Sequence, residues 1–135
     1  MTRFVVDPGA VIQLASEAVA VDPAHRLLAP TLLRSQTLST LHAATQRGEV
    51  PASVAREILA TINRMPIRLL GDAVLRRRAW ELADRLGWLE TYDAEYLALT
   101  QLQADAFVTT DRDLARAVRD VVPVAPIEDL RRPGT

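Results

Sequence analysis

Asp7 closes the run Arg3-Phe4-Val5-Val6-Asp7, and Asp111 lies just past Ala106-Phe107-Val108-Thr109-Thr110. Each run is a short apolar, β-prone stretch that delivers a carboxylate, and each carboxylate also opens a helix. If the two strands are neighbours in a parallel sheet, both acids stand at one edge, roughly 5 Å apart at the backbone. Two like charges that close are unfavourable unless a cation lies between them. The pattern therefore points to a divalent-metal site and, through an activated water, to hydrolysis.

Other acids can be sorted by the same geometry. In open α/β sheets, ligands bind beyond the carboxyl ends of strands. Asp93, in the first turn of a helix after Thr91-Tyr92, returns to that edge, and Asp113 can add an outer ligand. Asp105 begins a strand and belongs to the opposite edge. Several oxygen ligands suit Mg2+ or Mn2+, which assist in-line attack at phosphate. His25 and His42 share no metal-ligand spacing, and the chain has no cysteine, so thiolate zinc sites, thiol catalysis and disulfides are excluded. Each aspartate also has a purely structural role available, as a helix cap or a partner of the helix dipole. Their joint position at one edge is what favours chemistry.

Five strand signals, at about 3–6, 26–29, 66–70, 106–109 and 121–125, alternate with helical patterns. Pro8 starts the first helix, which is expected to run to about Ala20. Pro30 is expected to open the second helix, ending near Gly48, and Pro51 and Ser53 the third, with Val54, Ile58, Leu59 and Ile62 at helical spacing. Asp72 and Gly87 bracket the fourth, whose apolar face is Leu75, Ala79, Leu82, Ala83 and Leu86. Thr91 can cap the fifth, and Asp111 starts the last, ending near Asp120. Alternating strands and helices predict a parallel α/β sheet with helices on both faces.

With 135 residues the chain is expected to form one domain over 1–130, followed by a frayed tail at 131–135. Hydrophobic content is 49% and charged content 24%, the balance of a globular protein. No apolar run is long enough for a membrane span, and the amino terminus reads as a strand rather than a secretory signal. A cytoplasmic location is expected. The net charge of −1 gives no global attraction for nucleic acid. All sixteen basic residues are arginine, and a G- and C-rich genome explains that bias. Arg76-Arg77-Arg78 spreads around a helix as a solvated face. Arg112, beside Asp111, is the better phosphate contact, and Arg34 is expected to face elsewhere. Trp80 and Trp88 are expected to pack in the core, with partial exposure open to Trp88.

Four segments resemble the PIN domain, and among its members the bacterial VapC-type toxins. They are Val5-Val6-Asp7-Pro8-Gly9-Ala10, Ala29 through Leu38, Thr91 through Leu99, and Phe107 through Leu114, with the third the most specific. The resemblance implies a three-layer α/β/α fold on a five-stranded parallel sheet of order 3-2-1-4-5. It implies a Mg2+- or Mn2+-dependent ribonuclease with Asp7, Asp93 and Asp111 in the acidic site, Asp113 weaker. It also implies an RNA substrate, a VapB-like antitoxin partner and a homodimer.

One position departs from that pattern: the family's second-helix acid, usually Glu, aligns with Gln36. An amide can offer oxygen to a metal but no charge. A carboxylate at about 4 Å from a divalent ion contributes of the order of 8 kcal/mol at an effective dielectric of about 20. Losing it, offset by a smaller desolvation cost, should weaken the metal. Glu17 is two turns into the first helix and should point away. A catalytically weakened or inactive PIN-fold protein that binds an antitoxin or RNA is therefore the second reading. A phosphoacceptor receiver domain is a third; it needs an acidic pair at the first strand, which is missing, and an acceptor such as Asp72.

Overall fold

The computed structural model describes residues 1–131. Its parallel sheet comprises β1 (Thr2–Val6), β2 (His25–Pro30), β3 (Ile67–Leu70), β4 (Ala106–Val108) and β5 (Val124–Ala125), in the order β3-β2-β1-β4-β5. That is the order the resemblance implies. β1 and β4 are neighbours, with Phe4 opposite Ala106 and Val6 opposite Val108. Phe4, Val5 and Val6 are all buried, as expected of a central strand covered on both faces.

The chain crosses from β1 to β3 in one direction and from β3 to β5 in the other. Right-handed crossovers then put α1 (Pro8–Ser16), α2 (Leu33–Gln46) and α3 (Ala52–Arg64) on one face. The other face takes α4 (Ala73–Leu86), α5 (Tyr92–Gln103) and α6 (Arg112–Val118). The packing agrees: α1, α2 and α3 touch one another, α4 lies on α5, and α5 covers β1, β2 and β4. Among the described residues, no helix is long and apolar enough to cross a membrane.

Several boundaries differ from expectation for identifiable reasons. Pro30 does not open α2; it is the buried last residue of β2, opposite Leu70, and the helix begins at Leu33. Helix α1 stops at Ser16 instead of about Ala20. The Val19 N–H donates to the Leu14 carbonyl and the Ala18 N–H to that of Ala15. This is a Schellman end with Ala18 in the left-handed region at φ 52°. The same motif at the end of α4 uses Gly87, at φ 70°, as the sequence suggested. Thr91 does not cap α5 through its side chain; its carbonyl accepts the Glu95 N–H. A 3-10 turn over Ile127–Leu130 was not foreseen. Val54 is exposed and Ala55 takes the buried place on α3.

Trp80 is 66% exposed rather than core. It lies one residue past Ala79, about 100° round the helix from the buried stripe of Leu75, Ala79, Leu82 and Ala83. The frayed tail was expected from residue 131. Arg131, however, bridges Val21 in antiparallel fashion and pairs with Glu17 at 2.8 Å; residues 132–135 lie outside the described residues.

Candidate active site

Asp7 leaves β1 at the middle of the sheet, where its N–H still donates to the Val108 carbonyl at 3.2 Å. Its side chain then caps α1: Oδ1 accepts the Ala10 N–H at 2.9 Å. The residue directly across from Asp7 on β4 is not Asp111 but Thr109, because Val6 pairs with Val108. The Thr109 hydroxyl donates to Asp7 Oδ2, and the Thr109 Oγ1 itself accepts the Asp111 N–H at 3.1 Å. Thr109 thus links two acids whose backbones the sequence had put side by side. A Cβ at Gly9 would run into the Thr110 hydroxyl, so the turn into α1 needs the smallest residue where it passes the end of β4.

Asp111 is the N-cap of α6, its Oδ1 accepting the N–H groups of Asp113 and Leu114 at 3.0 Å each. Asp93 enters from α5. The three carboxylates feel one another: burial raises the Asp7 pKa above its ordinary value, and the charges of Asp93 and Asp111 push it further. The bonds from Thr109 and Ala10 oppose the rise without cancelling it. Asp93 is open to solvent on one side, yet desolvation, then Asp111, then Glu90 raise its pKa as well. Asp7 and Asp111 thus follow the carboxyl ends of the neighbouring strands β1 and β4, and Asp93 lies near enough for its charge to act on Asp7.

Two residues absent from the sequence-based site belong beside them. Tyr96 is buried one turn along α5 from Asp93, and its hydroxyl donates to Gln36 Oε1 at 2.7 Å. Burial, followed by the charges of Asp7, Asp93 and Glu95, raises its pKa far above the ordinary tyrosine value, so the phenol remains a proton donor. Thr109 is the other. The i, i+3 spacing of Asp93 and Tyr96 was the available signal for the tyrosine; Thr109 follows only from the β1–β4 register.

The remaining candidates divide clearly. Gln36 lines an open cleft with Asp93. Arg112 is exposed at the first position of α6, beside Asp111. Asp113 has another occupation: its carboxylate is 91% exposed and pairs with Arg116 at 2.6 Å. Glu17 does point away, to Arg131, and Arg34 donates to Asn63 on α3 at 3.1 Å. Asp105 accepts the Arg3 N–H at 2.8 Å at the opposite edge. Asp72 caps α4 at the end of β3, two strands from β1, which removes the receiver-domain geometry.

Among the described residues, no three His, Cys, Asp or Glu side chains stand converged as a ready ligand set. The gathering is one of charge rather than of ligand distances. The donor chemistry nevertheless fits a hard divalent cation: carboxylate oxygens that repel one another, with no thiolate or imidazole among them.

No family model matches the chain. The VapC ribonuclease Mb0985 of Mycobacterium bovis and ribonuclease VapC9 of Mycobacterium tuberculosis are each 31% identical to it over 104 residues. The match spans 77% of this chain and 80% of each relative. The crystal structure of PAE2754 from Pyrobaculum aerophilum superposes with a TM-score of 0.73 at 21% identity, covering 96% of this chain and 92% of that one. It shares the fold. The chain belongs to the VapC-type PIN-domain family.

Proposed function

We propose that this VapC-family chain is the endoribonuclease of a toxin–antitoxin pair, cleaving RNA with a divalent cation, Mg2+ or Mn2+, at Asp7, Asp93 and Asp111. The observation that carries the reading is the placement of Asp7 and Asp111 past the carboxyl ends of the two neighbouring central strands, with Asp93 near enough for its charge to act on Asp7; burial first, and nearby carboxylate charges after it, raise the pKa of Asp7 and of Asp93. Carboxylates held together at a cost in charge are what a cation site requires. A bound cation would supply charge neutralisation and activation of water for attack at phosphorus.

The chain's own groups do the rest. Thr109 and the Ala10 amide hold both Asp7 oxygens in a fixed direction. Asp111 is held by the first amides of α6. Arg112 is free to meet a phosphate oxygen at the rim. The Tyr96 phenol keeps its proton on Oη and directs it to Gln36.

The partners that go with the reading are an RNA strand, a VapB-like antitoxin and a second copy of the chain, in the cytoplasm. The domain is taken as residues 1–130. Purified protein should cleave single-stranded RNA when Mn2+ or Mg2+ is added, and Asp7→Asn should not. Equal cleavage by both proteins would remove the proposal.

Gln36 supports a second reading, a weakened or inactive nuclease that retains its partners. The side chain borders Asp93 in the cleft yet adds no charge. Full activity in the native chain with a stoichiometric, micromolar cation would exclude this alternative.

A further inference from the structure

Beside the acids, an open cleft of about 500 Å3 is lined by Gln36, Trp88, Leu89, Glu90, Tyr92 and Asp93. Asp93 belongs to both, so the cleft is continuous with the acidic edge. Its aromatic wall is set by the backbone. Gly87 turns the chain through the left-handed region, and the Trp88 N–H then donates to the Ala83 carbonyl at 2.9 Å. Tyr92 is 55% exposed and Leu89 98% exposed.

The chemistry of the lining narrows the occupant. Glu90 repels phosphate, and the cleft has no basic residue in its lining, so away from the proposed cation-holding edge at Asp93 it disfavours the sugar–phosphate backbone. Gln36 spends its oxygen on the Tyr96 hydroxyl and keeps its amide N–H donors for the cleft. Those donors need an acceptor, which a guanidinium or ammonium group lacks. A flat, uncharged group with a π face and both donors and acceptors suits this lining: the exposed Tyr92 by stacking, the partly buried Trp88 by apolar contact, Gln36 by donation, Glu90 by acceptance.

We infer that this cleft holds one unpaired nucleobase of the RNA strand, adjacent to the phosphate to be cleaved, with Gln36 as a base-reading donor. The inference rests on the nuclease reading above. It gives the amide a role that a carboxylate at the same position could not fill.

The test uses the Asp7→Asn protein, which should bind without cutting, and a fluorescent single-stranded RNA decamer. A second set of decamers carries one abasic unit at successive positions. Adding Tyr92→Ala should weaken binding of the intact decamer by about tenfold. That penalty should vanish for the decamer whose abasic unit falls in the cleft. Gln36→Ala should show the same positional dependence, while unchanged melting temperatures establish that the variants fold.

No effect of Tyr92→Ala, or an equal effect on every abasic decamer, overturns the inference. So does a Tyr92→Ala defect confined to a basic peptide, which would assign the cleft to a protein partner. Absence of any RNA binding overturns the subsite and the nuclease reading together. Position-dependent binding by a native chain that never cleaves would sustain the subsite and remove the nuclease. Cleavage with no dependence on Tyr92 would do the reverse.

Discussion

Asp7 and Asp72 do the same local job. Each ends a parallel strand, each caps the following helix, and each accepts an amide three residues on, Ala10 at 2.9 Å and Leu75 at 2.8 Å. Their surroundings differ completely. β1 is the middle of the sheet, and Asp7 is buried beside β4, within reach of the charges of Asp93 and Asp111. β3 is an edge strand, and Asp72 is exposed. The comparison teaches that a strand-end aspartate becomes a reactive-site candidate through strand order, not through its own motif. Burial and neighbouring charge, both supplied by the topology, convert a helix cap into a carboxylate with a raised pKa.

The sharpest way to break this comparison is the same substitution at both ends. Asp7→Asn should lower single-turnover RNA cleavage by roughly a hundredfold or more, on the scale of losing one charge-stabilising group at a reaction centre. Asp72→Asn should leave cleavage unchanged. Comparable losses would mean that fold integrity, not position, explains both.

A smaller effect is expected where charge is restored. Gln36→Glu should tighten Mn2+ or Mg2+ binding at least about tenfold, equivalent to about 1.4 kcal/mol, by calorimetry. An unchanged affinity would show that position 36 does not reach the cation.

Stability should separate the two aspartates with the opposite sign. The folded state holds the Asp7 proton more tightly than the unfolded chain does, because its pKa is raised from 3.8. This favours folding below that value and is lost as pH rises through the folded pKa. In the absence of divalent ions, Asp7→Asn should therefore melt at a higher temperature than the native chain at neutral pH. The gap should close on acidification. At the edge strand, Asp72→Ala should instead lose about 1 kcal/mol, the usual worth of an N-cap, with little dependence on RNA or metal. A destabilised Asp7→Asn protein would refute the claim that burial of the charge, together with its neighbours' repulsion, outweighs the bonds from Thr109 and Ala10.

How much was legible in the chain follows from the same contrast. The strand-to-cap grammar at Asp7, Asp72 and Asp111 could be read directly, because these signals are local. Strand order came from the resemblance, and with it the neighbouring of β1 and β4. Register was not legible at single-residue precision, so Thr109 was overlooked and Asp111 was brought two residues too close. Tyr96 was missed because a tyrosine among Ala94, Leu97, Ala98 and Leu99 reads as core; only its hydroxyl, reaching α2, gives it a second role. The overrun of α1 has an equally local cause. Ala18 adopts a backbone conformation that glycine normally announces, and alanine announces nothing. Trp80 misled through its size, since hydrophobicity alone does not say which side of a helix a residue occupies.

The Thr109 hydroxyl carries one hydrogen and two obligations. Pointing that hydrogen at Asp7 leaves a lone pair for the Asp111 amide, so the two strand ends are latched by a single rotor. Under the proposed function, a cation would meet two strand ends already tied together, with less ordering entropy left to lose on binding. Valine, of nearly the same shape, would release the latch while keeping the wall, and the two loops would then drift independently of each other.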